Sequence, residues 1–343
     1  MTKKRVLVVD DSPLIRQVLA DMLSSEADLE VVGFGINGLD ALEKLVTLKP
    51  DVITLDIEMP LMGGLETLRE IMIRQPTPTV MVSSTTTEGA DITLEALEIG
   101  ATDFVCKPRL GSFMSLREAK HEIVAKIRTA ATSAIKTLPA STPLAGAAEE
   151  TDGILLIAAS TGGPTALCRL FSSLPKQFGT PILIVQHMPA SFTASLAKRL
   201  TAQGSVPCRE AAEGDVIEPG HALIAPGGWH MTVGHDMQVH LDQTPCMHGV
   251  RPCADRLFES AAFAYGDRCL ALILTGMGKD GAKGALAIRN AGGTVLAQSA
   301  ESCTIFGMPK AAIESGAVQA TYPLDELGGA LLEALSRRRA NAA

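Results

Sequence analysis

Three side chains in the C-terminal half of the chain could together perform nucleophilic hydrolysis. Ser160 follows the apolar run "ILLIAA", His187 follows "PILIVQ", and Asp280 lies in a glycine-rich segment after "LALILT". A serine hydroxyl becomes nucleophilic when a histidine removes its proton, and a carboxylate can hold that histidine in the productive tautomer. The pattern predicts a hydroxyl–imidazole–carboxylate set, provided that the three apolar runs are strands of one sheet.

The stretch "STGGP" at 160–164 allows two other interpretations, a plain strand-to-helix turn or a phosphate cradle at a helix N-terminus. A dinucleotide site is disfavoured, because G-x-G-x-x-G is not found there and the second strand ends in Gln186 and His187 rather than in an acid. Taken alone, His187 could fill a loop and Asp280 could be a helix N-cap. Local sequence leaves these alternatives open.

A second group of reactive residues follows the apolar runs of the N-terminal half. Asp10 and Asp11 come after "RVLVV", and Asp56 comes after "DVITL". Crowded carboxylates repel one another, and Mg²⁺ prefers such oxygen ligands. With Mg²⁺ bound, Asp56 could accept a phosphoryl group as an aspartyl phosphate. Lys107 would then pair with the phosphate, and the Ser83 hydroxyl would donate a hydrogen bond to it.

Both groups require parallel sheets to bring them together. Residues 1–128 alternate strand and helix patterns five times, which predicts a domain with a five-stranded parallel sheet. Residues 129–152, rich in Ala, Thr, Ser and Pro, predict a linker. Residues 153–343 resume the alternation around a β-rich insertion, predicting a doubly wound α/β domain with a β-hairpin. In such sheets the carboxyl ends of the strands share one edge.

Composition excludes several classes of protein. A net charge of −8 without a basic cluster argues against nucleic-acid binding, and the apolar runs are too short for membrane insertion. The N-terminus lacks the apolar core of a signal peptide, so we expect a cytoplasmic protein. Seven scattered cysteines without a CxxC pair predict reduced thiols. His230, His235 and His240 would alternate faces on strands, which predicts surface positions on a hairpin rather than a zinc site.

The Asp-Asp, Asp, Ser and Lys-Pro pattern of the N-terminal domain resembles the receiver domain of response regulators. The resemblance implies a flavodoxin-like fold with Asp56 as the phosphoacceptor. It also implies that Asp10, Asp11, Asp56 and the backbone carbonyl of Glu58 hold Mg²⁺. Phe104 stands where the family has a switching aromatic residue, so the hydroxyl contact of a tyrosine is lost.

The second domain resembles the catalytic domain of the chemotaxis response-regulator methylesterases. The similarity is carried by "AASTGGPTAL", "VQHMP", "LTGMGKDGA" and "RPCADRLFESAA". It implies a catalytic triad of Ser160, His187 and Asp280, with Thr161 and Met277 lining the site and its oxyanion hole. The implied reaction removes methyl esters from glutamyl residues of chemoreceptors, releases methanol and needs no cofactor. Deamidation of receptor glutamines would use the same acyl chemistry.

The same resemblance implies regulation by a chemotaxis histidine kinase as phosphodonor, with the receiver inhibiting the catalytic domain until Asp56 is phosphorylated. Cys253 departs from the family pattern, which more often has serine in an "RPS" stretch. No histidine motif is obviously paired with it, so we do not predict a nucleophile there. A nucleotide-binding α/β enzyme and a receiver-linked signalling adaptor without catalytic activity are the alternative functions.

Overall fold

A computed structural model of the chain describes residues 2–83, 86–107, 113–133, 144, 147–148 and 152–342. The chain divides into two compact units, Met1–Thr137 and Leu138–Ala343. The linker that we predict at 129–152 lies largely outside the described residues, so its bounds stay a prediction. No helix among the described residues is both long enough and apolar enough to cross a membrane.

The N-terminal unit has the five-stranded parallel sheet that the alternation predicts, in the order β2-β1-β3-β4-β5. The strands are β1 (Lys4–Val9), β2 (Leu29–Gly35), β3 (Val52–Asp56), β4 (Thr79–Ser83) and β5 (Asp103–Cys106). The helices are α1 (Pro13–Ser24), α2 (Gly38–Leu48), α3 (Gly64–Arg74), α4 (Thr87–Ile99) and α5 (Phe113–Ala130). This order is that of the flavodoxin-like folds, so the predicted fold of this unit is confirmed.

Local sequence explains how the helices of this unit begin. The Ser12 hydroxyl accepts a hydrogen bond from the Ile15 amide, and Pro13 occupies the first turn of α1. The N-cap side chain satisfies an amide that has no partner within the helix, and proline loses nothing there. Because α1 starts immediately after Asp10 and Asp11, both acids are kept at the carboxyl edge of the sheet.

The C-terminal unit contains a seven-stranded parallel sheet in the order β10-β11-β9-β7-β14-β15-β16. In chain order the strands are β6 (Ala147–Ala148), β7 (Ile154–Ala159), β8 (Gln177–Phe178), β9 (Ile182–Gln186), β10 (Cys208–Glu210), β11 (Ala222–Ile224), β12 (His230–Val233), β13 (Val239–Asp242), β14 (Cys269–Ile273), β15 (Thr294–Gln298) and β16 (Ala320–Tyr322). The helices are α6 (Gly163–Ser173), α7 (Ala190–Gln203), α8 (Ala254–Tyr265), α9 (Ala282–Asn290), α10 (Met308–Glu314) and α11 (Leu327–Ala342).

The central strand β7 pairs with β9 on one side and β14 on the other, and all three strands are buried along their whole length. Their side chains are Ile, Leu, Val and Ala with little else, as expected for parallel strands covered on both faces. The strand order reverses at β7, so ligands of such folds bind beyond its carboxyl end.

The β-rich insertion divides between two sheets. Strands β10 and β11 extend the main sheet in parallel, and β12 and β13 form the antiparallel hairpin. The prediction of a surface position is wrong for His230, which is fully buried and bonds the Pro245 carbonyl through Nε2 at 3.2 Å. The hairpin packs on α8, where the Val233 amide donates to Ser260 Oγ at 3.0 Å, so its inner face is not solvated.

Candidate active site

Ser160 lies in a sharp turn at the carboxyl end of β7. Its amide donates to the Thr275 carbonyl at 3.1 Å, and its own carbonyl accepts from the Gly163 amide at 2.7 Å. Gly162 has φ 75°, a left-handed conformation that favours glycine, and Pro164 occupies the first turn of α6. The turn leaves Ser160 half-buried at the edge of the sheet, in front of the N-terminus of α6.

His187 is held beside this turn by strand register. Ala159 pairs with Gln186, so Ser160 and His187 are the next residues on two neighbouring strands, and the His187 amide donates to the Ala159 carbonyl at 3.1 Å. The side-chain amide of Gln186 donates to the carbonyls of both Ser160 and His187, at 3.0 and 3.1 Å. One buried amide group therefore ties the two turns together.

The imidazole of His187 bonds Asp280, with 2.8 Å between Nε2 and Oδ2. The carboxylate is buried and accepts four further hydrogen bonds, from Cys253 Sγ at 2.9 Å and from the amides of Ala254 at 2.7 Å, Asp255 at 3.0 Å and Gly281 at 2.9 Å. Burial alone would raise the pKa of Asp280, but the bond from His187, with those from Cys253 and Ala254, lowers the pKa to about 2. Asp280 is thus a firmly held anion beside His187.

Asp280 does cap a helix, but not the one that follows it in sequence. The N-cap of α9 is Gly281, which has no side chain, and the Gly284 amide in the first turn of α9 donates to Asp255 Oδ1 instead. Asp280 instead accepts from the first amides of α8, whose N-terminal end carries positive potential. Asp280 thus caps α8 and also bonds His187, so the helix-cap and triad interpretations of this residue are compatible.

The structure brings His187 to Asp280 more closely than it brings Ser160 to His187. Among the described residues, no hydrogen bond joins Ser160 Oγ to the imidazole. Because Nε2 faces Asp280, Nδ1 is the nitrogen left for the serine. Bonds between a catalytic nucleophile and its base commonly tighten only in the complex with substrate.

Thr161 and Met277, the two predicted lining residues, lie on the two turns that flank Ser160. The Thr161 carbonyl accepts from Thr275 Oγ1 at 3.0 Å, and the Met277 side chain is 40% exposed. A Cβ placed on Gly276 would lie 2.8 Å from the Ser160 Cβ. The backbone of the 276–277 turn therefore passes directly against Ser160.

Cys253 is the residue whose part in the site sequence reasoning missed. Its buried thiol donates to Asp280, and burial, with the negative charge of Asp280, strongly raises the pKa of the thiol. The group is therefore a neutral donor, in keeping with the prediction that it is not a nucleophile. Cys253 is the N-cap residue of α8. This position, at the start of a helix, could have indicated a contact with the carboxylate of Asp280.

The N-terminal unit gathers its acids in the same way. Lys107 Nζ lies 2.8 Å from Asp56 Oδ2 and 3.6 Å from Asp10 Oδ2. Burial raises the pKa of Asp56 to about 6, against the opposing effect of the Lys107 hydrogen bond. Lys107 therefore forms an ion pair with Asp56 itself, and its pairing with a phosphate stays a prediction.

Magnesium fits these side chains. One oxygen each from Asp10, Asp11 and Asp56 lies within 4.8 Å of the others. Asp10 Oδ2 is buried and accepts no hydrogen bond, although Lys107 Nζ lies at ion-pair distance, so this oxygen can still take a cation as a ligand. An all-oxygen set of carboxylates suits a hard cation.

Three further predicted positions of this unit have other contacts. Ser83 Oγ accepts from Thr93 Oγ1 at 2.7 Å and donates to the Gly89 carbonyl at 3.3 Å, so it is engaged with α4. The backbone of Glu58 hydrogen-bonds Asp56, and its carbonyl as a Mg²⁺ ligand stays a prediction. The Phe104 ring is buried, with Lys126 Nζ 4.8 Å from its centroid.

Fold and sites together define a class of two-unit signalling protein, in which a receiver domain precedes an α/β domain with a Ser–His–Asp grouping at its topological switch point. Comparison with protein families agrees. The family described as CheB methylesterase matches residues 155–331, and the response regulator receiver domain matches residues 6–116.

The chain belongs to the CheB methylesterase family. A relative from Symbiobacterium thermophilum, named protein-glutamate methylesterase/protein-glutamine glutaminase, is 45% identical over 96% of this chain and 97% of its own length. A Thermotoga maritima protein of the same name is 44% identical over 96% and 98%. The crystal structure of the Thermotoga maritima CheB methylesterase catalytic domain is 41% identical, covers 53% of this chain and 98% of its own, and superposes with a TM-score of 0.52.

Proposed function

We propose that the C-terminal domain hydrolyses glutamyl methyl esters of chemoreceptors, and deamidates receptor glutamines, by a covalent serine mechanism. The observation that carries this proposal is the 2.8 Å bond between His187 and a buried, ionised Asp280, beside Ser160 on the neighbouring strand. Family membership supports it, since the named relatives are methylesterases and glutaminases.

In the first half of the reaction Ser160 Oγ attacks the ester carbonyl carbon, and His187 takes the serine proton. Asp280 accepts the Nε2 proton of His187 in a hydrogen bond, so Nδ1 is the basic nitrogen. The negative charge of Asp280 stabilises the imidazolium that forms. Backbone amides of the turns that carry Thr161 and Met277 would stabilise the oxyanion; losing one such donor costs about 2.7–4 kcal/mol. Methanol leaves with the proton from His187.

In the second half water attacks the acyl-enzyme while His187 removes a proton from the water. The tetrahedral intermediate then collapses, releasing the glutamate side chain and restoring the Ser160 hydroxyl. A glutamine substrate follows the same course, with ammonia in the place of methanol. These steps call for no cofactor.

The receiver domain would regulate this reaction. Asp10, Asp11, Asp56 and the Glu58 carbonyl would hold Mg²⁺, which offsets the carboxylate charge when Asp56 accepts a phosphoryl group from a histidine kinase. Lys107 would move from Asp56 to the phosphate, and the Ser83 hydroxyl would donate to a phosphate oxygen instead of to the Gly89 carbonyl. We propose that this change relieves inhibition of the catalytic domain.

Replacement of the nucleophile tests the esterase. Ser160→Ala should reduce methanol release from methylated receptor fragments to background, because loss of a triad serine costs about 10⁶ in kcat in a serine protease. A serine-directed covalent probe should label the wild type but not this variant. Ser336→Ala, which changes an exposed serine of α11, is the matched control and should keep full activity.

The same measurements separate the rival functions. Retained methanol release in Ser160→Ala would place the nucleophile elsewhere. A wild-type protein that neither releases methanol nor takes the probe would be the inactive adaptor. Saturable binding of a labelled dinucleotide would favour the nucleotide enzyme, although Gln186 at the relevant strand end is already committed to two backbone carbonyls.

A further inference from the structure

Four side chains around the first turn of α8 form a cluster of the kind that ligates metal ions. His248, Cys253, Asp255 and Asp280 each offer one ligand atom, and these atoms all lie within 4.8 Å of one another. The cysteine and both aspartates are buried, and the His248 side chain is 29% exposed, which leaves one side open to solvent. Only Asp280 belongs to the proposed triad.

Hydrogen bonds link these four ligand atoms in two pairs. His248 Nε2 lies 2.8 Å from Asp255 Oδ2, and Cys253 Sγ donates to Asp280 Oδ1 at 2.9 Å. The second oxygen of Asp255 accepts from the Gly284 amide at 2.8 Å, so that carboxylate is fixed at both ends. The four groups are thus held in place by the backbone and by each other, which preorganises them for a shared ligand.

The charge of the cluster favours a cation. Asp255 and Asp280 are 0% and 1% exposed, and within the described ranges their ion-pair partners are imidazoles, with no lysine or arginine at bonding distance. Hydrogen bonds hold both carboxylates, but neither has a permanent cation as its partner, and buried charges of this kind can coordinate metal ions. With His248 neutral, the four groups carry a net charge of about −2. A divalent ion that displaces the thiol proton would bring the net charge of the site to about −1.

We propose that His248, Cys253, Asp255 and Asp280 form a site for a borderline-soft divalent cation, with Zn²⁺ the best match. One thiolate, one imidazole and two carboxylate oxygens suit a tetrahedral zinc ion. Binding breaks the Cys253 S–H bond, releases that proton to solvent and forms a metal–sulfur bond. Neutral His248 binds through Nε2 while its proton moves to Nδ1. The all-oxygen cluster of the receiver unit, by contrast, suits Mg²⁺.

Occupation of this site would inhibit the esterase. Asp280 Oδ1 would ligate the ion while Oδ2 still faces His187, and the positive charge would weaken the support that Asp280 gives to a His187 imidazolium. This consequence rests on the proposed function, whereas binding of the metal does not.

Cobalt provides a direct readout of binding in the full-length protein. With excess Mg²⁺ present to occupy the receiver site, Co²⁺ should produce a thiolate-to-cobalt charge-transfer band that Zn²⁺ abolishes. Cys253→Ser should lose the band, and Cys246→Ser, which removes an exposed cysteine seven residues earlier, should keep it. His248→Gln should weaken binding at least about tenfold, since even outer-shell changes cost 10–100-fold in metal affinity. Affinity should rise with pH, because the ligands must lose protons.

Methanol release then tests inhibition. Zn²⁺ should inhibit the wild type and Cys246→Ser, whereas His248→Gln should keep its metal-free activity and resist zinc. The site is refuted if wild-type protein gives no thiolate band, or if the band survives in Cys253→Ser. A band without esterase activity in metal-free wild type would refute the proposed function and leave the metal site standing.

Discussion

Two buried aspartates of this chain, Asp56 and Asp280, have opposite protonation behaviour because their partners differ. Asp280 accepts five hydrogen bonds, which lower its pKa to about 2 despite burial. Asp56 is equally buried, and its Lys107 contact does not outweigh desolvation and the nearby Asp10 charge, so its pKa rises to about 6. Asp280, which stays ionised, is suited to stabilise an imidazolium. Asp56, whose charge is poorly stabilised by its surroundings, is suited to bind Mg²⁺.

Mg²⁺ binding to the receiver should therefore depend on pH. The folded-state pKa of Asp56 is raised above its ordinary value of 3.8, so the folded state holds the proton between that value and about 6. The contribution of this proton to stability is complete below 3.8 and is lost as pH rises through 6. Mg²⁺ competes with this proton for Asp56, so the Mg²⁺ affinity of the protein, measured by titration calorimetry, should rise with pH across that window.

Asp56→Asn is the control for this pH dependence. The variant cannot be protonated at that position, so its Mg²⁺ affinity should be weaker and should lack the step near pH 6. A step of equal size in both proteins would show that another group controls binding.

At the scale of the elements, close backbone contacts hold the strand ends of the C-terminal sheet together. A Cβ placed on Gly163, the first residue of α6, would lie 2.0 Å from Gln186 Oε1 and 2.9 Å from the Ala159 Cβ. The same Gln186 side chain bonds the carbonyls of Ser160 and His187. The Gln186 side chain therefore contacts the start of α6 and also fixes the distance between the turns of Ser160 and His187.

Gly163→Ala should disturb both stability and catalysis. The methyl group would displace Gln186, and overpacking of this kind costs about 1–3 kcal/mol. Urea unfolding of the C-terminal unit can be followed by the fluorescence of Trp229, the single tryptophan, and methanol release should fall in the same variant.

Gly329→Ala is the matched control for this substitution. It lies in α11, where a Cβ would meet no atom within 4 Å, and it should stabilise the unit by about 0.5–1 kcal/mol. A Gly163→Ala protein as stable and active as the wild type would show that the Gln186 contact can yield without cost.

At the scale of the whole molecule, the proposed regulation depends on two domains sharing one chain. A short flexible linker keeps tethered domains at an effective concentration of about millimolar, so a weak inhibitory interaction can act. The proposed phosphoacceptor Asp56 and the proposed nucleophile Ser160 belong to different units. Regulation must therefore be transmitted between domains rather than within one site.

Phosphorylation of the full-length protein tests this regulation. A small phosphodonor with Mg²⁺ should raise methanol release by the wild type and leave that of Asp56→Asn unchanged, because that variant lacks the proposed phosphoacceptor. Asp21→Asn, an exposed position on α1, should respond like the wild type. Equal activation of Asp56→Asn, or no activation of the wild type, would contradict the proposal.

The sequence by itself determined which residues stand at strand ends. Apolar runs bounded by turn residues placed Ser160, His187 and Asp56 at the carboxyl ends of their strands, and the alternation of elements predicted two parallel sheets, both confirmed. Such features depend on continuous apolar runs and on the helical period of 3.6 residues, which the chain carries locally.

Only the tertiary structure decided which partners those residues meet. That Asp280 caps α8, that Cys253 donates to it, and that the buried His230 bonds the Pro245 carbonyl are contacts that only the folded chain shows. They depend on how far each loop reaches and which face of α8 turns inward, and packing of the whole unit sets both. A hydrogen bond between distant segments has no counterpart in local periodicity, because its two partners come together only when the chain folds.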